Sequence, residues 1–406
     1  MIVYIGSFGL PFKDAVAKRA LGIGYALDAA GYQVAFIGED ESIERKKISE
    51  DFYVDKFLCC SISKPYKSIE HYKYRKDLSL VLEKIDQWNC LYGIEAIIFC
   101  GTKCCFFAHG LVHGCKKRNI PVIADSMDWL TSQTGNILFD CIKNFDIWYE
   151  MQIVNRKVDA MIVISKYLKR YYEKYIDNII VIPPLSPINC KKSSDTKVDD
   201  FIKLYYAGIP FRLGERLLNK NSAKDRLDLV LELVYSLSSE NLKFTLDIYG
   251  MTVEQYKEAI PEHIEIIDIL LKKNIVEFHG YVDANVAYEA LLVSDYTILL
   301  REKNRTSEAG FPTKISESIQ CGIPVITTDT SDILDYVEDG RDATILEIND
   351  FEIAKAKLKD ILLSAKYGAN NAKKYALQNK AFDPNSYTDI LNSFIKKLLE
   401  VKDGKL

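Results

Sequence analysis

Residues 308–329, EAGFPTKISESIQCGIPVITTD, restrict the fold more than any other stretch. They read as a glycine-containing loop at Ala309 and Gly310, a short helix over 314–321, a sharp stop, and a buried parallel strand at Val325, Ile326 and Thr327. Gly322 sits where a helix needs a left-handed residue just past its end, and Pro324 forbids continuation. Lys314 is the anomaly, because a lysine in the first turn opposes the helix macrodipole. A ligand that supplies negative charge would resolve the conflict, since free N–H groups at a helix start form a phosphate site. One turn on, Glu317 can accept two hydrogen bonds from a vicinal diol such as a ribose. The residues alone equally allow a solvated Lys and Glu on a surface helix.

The run PTKISESIQCGIPVI resembles the donor-site signature of GT-B-fold retaining glycosyltransferases, family 4-like, group 1, which use nucleotide-activated sugars. The resemblance implies that Lys314 and Glu317 hold the phosphates and ribose of the donor. Thr313 then lies at the same helix start, and Gly322 and Pro324 form the helix stop. Many members carry a glutamate eight positions before the second one, supporting the transferred sugar; here that position is Ala309, and Glu308 is displaced by one. Either the loop brings Glu308 in, or the backbone N–H groups of Ala309, Gly310 and Phe311 hold the sugar.

A chain of 406 residues exceeds one typical core, so two domains are expected. A net charge of −4 gives no general attraction to nucleic acid. The start, MIVYIGSFG, reads as a first strand rather than a basic leader, and no apolar run approaches the ~20 residues that cross a bilayer. The ten cysteines include no C-x-x-C, so reduced, mostly buried thiols and a cytoplasmic location are expected.

Residues 2–5 form a short strand broken by Gly6, Ser7 and Gly9, followed by an amphipathic helix over 14–30 and a strand over 33–37. This is a doubly wound β–α–β unit without the dinucleotide pattern G-x-G-x-x-G. The resemblance implies that Gly6, Ser7, Gly9, Lys13 and Arg19 belong to a first loop touching donor phosphate or acceptor; a plain connecting turn is the alternative. Residues 64–76, KPYKSIEHYKYRK, are basic and interleaved with tyrosine, suited to an anionic membrane surface or to a solvated face. His109 and His113 share a helix face as zinc ligands do, but nothing completes the set, so packed or solvated histidines are expected. Asp125, Asp128 and Trp129 follow a strand over 121–124, where open sheets place ligands. They resemble the D-x-x-E-W segment of one subgroup of the same transferases, which implies an acceptor role. A structural role, with Asp125 capping a helix and Trp129 filling the core, is the alternative.

The first domain is expected over 1–185, a linker over 186–200, and the second domain over 201–387. In the second, a strand over 203–207 turns at Gly208, and residues 222–225 read as a capping-box helix start. Lys224 there repeats the puzzle of Lys314, and two lysines at two helix starts suit a diphosphate. The resemblance assigns Lys224 to the donor diphosphate, with Arg212 or Arg216 as partner, and places residues 281–293 at the nucleobase. Arg301 follows a strand over 296–300, where a guanidinium can clamp phosphate. A last helix over 388–401 is expected to pack back on the first domain.

The sequence therefore points to a GT-B α/β fold of two Rossmann-like domains facing a cleft, and to a retaining hexosyltransferase. Its donor would be a nucleoside-diphosphate sugar. Its acceptor would be a glycan or lipid-linked molecule in surface polysaccharide biosynthesis, with peripheral contact at the inner face of the plasma membrane. Catalysis would rest on Lys224 and Lys314 stabilising the leaving diphosphate, without metal or other cofactor, and on Asp128 as a candidate base. A GT-B nucleotide-sugar epimerase, which needs His109 and His113 near the sugar, and a non-catalytic binding subunit are the alternatives.

Overall fold

The computed structural model describes residues 1–12, 14–44, 47–64, 77–101, 104–129, 137–187, 201–220 and 223–402, with side chains 365–366 excepted. Lys13, Ser222, the linker residues 188–200 and all of the basic stretch beyond Lys64 lie outside the described residues. The chain forms two compact units. The first holds Met1–Pro187, Ala309–Phe311 and the chain from Asp383 onward; the second holds the described residues 201–308 and Pro312–Phe382.

In the first unit the order is β1 (Ile2–Gly9), α1 (Ala15–Ala29), β2 (Val34–Asp40), β3 (Phe52–Val54), β4 (Phe57–Ser63), α2 (Asp77–Tyr92) and β5 (Ala96–Cys100). Then come α3 (Cys105–Lys117), β6 (Val122–Ser126), α4 (Ile137–Tyr149), β7 (Ala160–Val163), α5 (Lys166–Tyr172) and β8 (Ile179–Val181). Its eight strands lie in the order β3-β4-β2-β1-β5-β6-β7-β8, parallel except for β3. Unbroken apolar runs such as Ile2–Ile5 and Ala96–Cys100 are buried on both faces, as a parallel sheet requires. The first strand does not break at Gly6 as expected: β1 continues to Gly9 through a register shift after Ile5. Gly6 allows this, because a Cβ there would strike Cys100 on the neighbouring strand. The Asp14 carboxylate caps α1 by accepting from the Ala17 N–H at 2.8 Å.

In the second unit the order is β9 (Ile202–Ala207), α6 (Leu227–Leu237), β10 (Phe244–Tyr249), α7 (Val253–Ala259), α8 (Ile264–Lys272), β11 (Val276–Gly280) and α9 (Ala284–Leu292). It continues with β12 (Tyr296–Leu299), α10 (Arg305–Ala309), α11 (Thr313–Gln320), β13 (Val325–Thr327), β14 (Ala343–Ile345) and α12 (Phe351–Gln378). Six parallel strands lie in the order β11-β10-β9-β12-β13-β14. The last helix, α13 (Thr388–Lys402), packs its Leu391, Phe394, Ile395 and Leu398 into the core of the first unit beside α1.

Each sheet has one point where the strand order reverses: between β1 and β5, and between β9 and β12. There, successive connections leave toward opposite sides and open a crevice beyond the carboxyl ends of the strands. In the second unit that places Gly208, just past β9, beside Arg301, just past β12.

The stop after α11 forms as the sequence suggests. Gly322 has φ +73°, its N–H bonds to the Ile319 carbonyl at 2.9 Å, and the Ile323 N–H reaches Ser318 at 2.9 Å. A Cβ at Gly322 would also collide with Leu377 of α12. Gly322→Val should therefore destabilise the protein by at least about 2 kcal/mol, read as a lowered denaturant midpoint with unchanged slope.

Candidate functional site

At the switch point of the second unit, four segments converge on one carboxylate. Asp225, 1% exposed, precedes α6. It accepts from Arg301 Nε at 2.9 Å, from the Tyr206 hydroxyl at 3.0 Å, and from the Lys314 ammonium. Tyr206 comes from β9, Arg301 from the end of β12, and Lys314 from the first turn of α11. Two backbone bonds pin the loop that carries the carboxylate: Lys224 N–H to Pro210 O at 2.8 Å and Arg226 N–H to Leu300 O at 2.7 Å. The Lys314 ammonium also lies over the Tyr206 ring, 4.6 Å from its centroid. Gly208, at φ +146°, makes room for it, since a Cβ there would overlap the ammonium.

Burial alone would push the Asp225 carboxyl up; the Lys314 and Arg301 charges outweigh it and hold the group well below the usual carboxylate range. For Lys314, burial is the chief cause of a pKa held below the usual lysine range, with Asp225 opposing and Arg301 and Lys224 adding to the lowering. Burial, with Asp225 nearby, keeps the Tyr206 hydroxyl protonated as a donor. Arg301 is buried, while Lys314 leaves 24% of its side chain exposed and Lys224 is exposed. Two cations thus bond one carboxylate, and the exposed Lys224 ammonium acts on Lys314 nearby, an excess of two positive charges on a partly open surface.

This arrangement corrects part of the sequence reading. The negative charge that Lys314 calls for comes from Asp225, within the chain. Lys224 does not start a helix: α6 begins at Leu227, its cap is Arg226, and no capping box forms. Arg226 instead pairs with Asp228 and Glu302. Arg212 and Arg216 pair on the surface with Glu215 and Glu262, so Arg301 is the guanidinium that joins Lys314. Sequence reasoning missed Asp225 and Tyr206 as site residues. The acid directly after Lys224 was the available signal.

α11 starts at Thr313 after Pro312, with no side-chain cap and no acid in its first turn. Glu317 is half-buried one turn on, and its charge contributes to the raised pKa of Tyr205, which burial chiefly causes. Ala309, Gly310 and Phe311 are buried. Glu308 accepts from the Ser331 N–H at 3.0 Å, which engages the displaced carboxylate on the loop after β13.

In the first unit, two of the residues expected to touch a ligand are buried instead. Arg19 donates to Asp125 at 2.7 and 2.9 Å and to the Ile182 carbonyl at 2.9 Å, and Tyr4 also donates to Asp125. Asp125 therefore caps no helix; it neutralises Arg19 inside the sheet. Gly6, Ser7 and Gly9 are half-buried on β1. Asp128 is exposed on the loop after β6, and Trp129 packs edge-on against Tyr167 and Tyr171 of α5. His109 shares a 2.8 Å hydrogen bond with the Tyr149 hydroxyl, and His113 is exposed.

Among the described residues, one group has metal-ligand spacing: Asp247, Glu277 and His279, with ligand atoms within 4.8 Å of one another. There the imidazole shares a hydrogen bond with Asp247 at 3.0 Å and lies 3.8 Å from Glu277. The group belongs to β10 and β11, apart from the cluster around Asp225.

Solved structures share this fold over nearly the whole chain. Sucrose-phosphate synthase from Thermosynechococcus elongatus is 15% identical with a TM-score of 0.62, over 99% of this chain and 100% of that one. An E. coli trehalose-6-phosphate structure bound with UDP-2-fluoro glucose is 12% identical, TM-score 0.62, over 98% and 99%. Anabaena HepE in complex with UDP is 13% identical, TM-score 0.61, over 98% and 99%. The fold is GT-B, as the resemblance implied. Residues 219–379, which include Lys224, Asp225, Arg301, Lys314 and Glu317, match the family described as glycosyl transferases group 1. Comparison with curated proteins gave no sequence match. The chain thus shares the GT-B fold, and its residues 219–379 are similar to the group 1 glycosyl transferases.

Asp225→Asn should cost about 3–5 kcal/mol, because buried Arg301 and partly buried Lys314 lose their counter-charge. The carboxyl is held low in the folded state, so its contribution is complete above the unfolded value near pH ~4 and is lost as pH falls below it. Unfolding measured against pH should show wild type and variant converging only in acid.

Proposed function

We propose that the second unit binds a nucleoside-diphosphate sugar at the Asp225 cluster and transfers the sugar with retention. The excess of two positive charges at Lys314, Arg301 and Lys224 carries this reading, because it matches the charge of a diphosphate leaving group. In the proposed reaction the bond between the anomeric carbon and the phosphate oxygen breaks toward that charge. The acceptor oxygen attacks from the same face, and its proton passes to the departing phosphate oxygen. Lys314 is suited to this work because burial already makes its charge costly, so an arriving anion restores what the protein withholds. Glu317 receives the ribose diol, and the N–H groups of Ala309, Gly310 and Phe311 receive the sugar that Glu308, occupied by Ser331, does not hold. Positive side chains take the place of a divalent ion.

Uridine diphosphate is the first base to test, because two of the similar structures hold UDP or its sugar. The acceptor is a glycan or lipid-linked molecule of surface polysaccharide biosynthesis, handled in the cytoplasm. The engaged Glu308 favours a second reading, a subunit that binds the donor without turnover. Nothing favours the epimerase, since His109 is held by Tyr149.

Calorimetry with uridine and guanosine diphosphates, and transfer assays over a donor panel, test the proposal. Lys314→Ala should lower transfer about 10²- to 10³-fold, and Glu317→Ala should weaken nucleotide binding about 10- to 100-fold. Unchanged binding and turnover in both variants would remove the site from this cluster; binding without turnover in the wild type would select the second reading.

A further inference from the structure

Helix α4 is packed inside out. Its one buried residue is Asp146, whereas Ile137, Leu138, Ile142, Phe145 and Trp148 are exposed at 81%, 73%, 38%, 46% and 51%. From Leu138 on these residues recur every three or four positions, and with Ile137 they form one stripe along a helix about 20 Å long. No charged side chain interrupts the stripe. The inward face explains the arrangement: the Asp146 carboxylate lies 3.5 Å from the Cys105 N–H at the start of α3, whose own cap position offers no side-chain bond. A carboxylate at that helix start is favourable.

The stripe runs into a cationic surface. Tyr149 ends α4 in ring contact with Phe145 and with exposed Phe106 of α3, and its hydroxyl bonds His109. His109 opens a cavity of about 120 Å³ lined further by Val112, His113, Lys116, Val154 and Lys157, with no carboxylate in its wall. His113, Lys116 and Lys157 are exposed. An apolar ridge carrying Trp and Phe, continuous with a basic hollow, has the two chemistries of a bilayer interface: acyl chains for the ridge and anionic headgroups for the hollow. No helix among the described residues is long and apolar enough to span a membrane.

We propose that α4 and the adjoining face of α3 seat the first unit on an anionic lipid bilayer, with the α4 stripe below the headgroups and Lys116 and Lys157 among them. This goes beyond the donor-site proposal and involves none of its residues. Flotation of the full chain with phosphatidylglycerol–phosphatidylcholine vesicles, without nucleotide, tests it independently of transfer. Wild type should float with these vesicles, and less as salt rises. Phe145→Ser with Trp148→Ser should reduce partitioning at least about tenfold, and Lys116→Gln with Lys157→Gln should abolish the preference over pure phosphatidylcholine. All four positions are exposed, and matched thermal unfolding of the variants should confirm intact folding. No flotation of wild type, or equal flotation of the apolar variant, would overturn the proposal. So would a concentration-dependent dimer in sedimentation that the apolar variant dissolves, because a second copy would then cover the stripe.

Discussion

One buried carboxylate organises the switch point of the second unit. Without Asp225, the Lys314 ammonium and the Arg301 guanidinium would face each other in a site where burial already penalises charge. With it, β9, the loop before α6, the end of β12 and the start of α11 are tied to one point by charged hydrogen bonds. The tie neutralises only part of the charge it gathers. What remains positive lies at the carboxyl ends of a parallel sheet, where Arg301 and Lys314 are fixed by their bonds to Asp225.

The first unit contains a useful contrast. Arg19 and Asp125 also form a buried pair, joined by Tyr4, near the end of a parallel sheet. There one guanidinium meets one carboxylate and the spare guanidinium nitrogen is satisfied by the Ile182 carbonyl, so no charge is left over. Similar residue types at comparable places in two doubly wound sheets thus have different consequences. Stoichiometry of charge, rather than the presence of charge, separates the two clusters: one cancels, and the other leaves positive charge over.

Helix α4 obeys neither expectation of its composition. Its apolar residues at helical spacing would ordinarily mark the face toward a core, and its aspartates the face toward water. The reverse holds: Asp146 points inward to the start of α3, which has no side-chain bond at its cap position.

The sequence by itself determined the alternation of strands and helices, the stop at Gly322 and Pro324, and the helix start that carries Lys314 and Glu317. These are encoded over a few neighbouring residues, in apolar runs, a left-handed glycine and a lysine that contradicts its helix dipole. Tertiary structure alone decided that Asp225 answers Lys314 from 89 positions away in the chain, that Arg301 rather than Arg212 or Arg216 joins them, and that Arg19 and Asp125 cancel in the interior. Such pairings depend on which strand ends become neighbours in the sheet. Strand order is set by the packing of whole β–α units, and no local pattern around a single charged residue reports it.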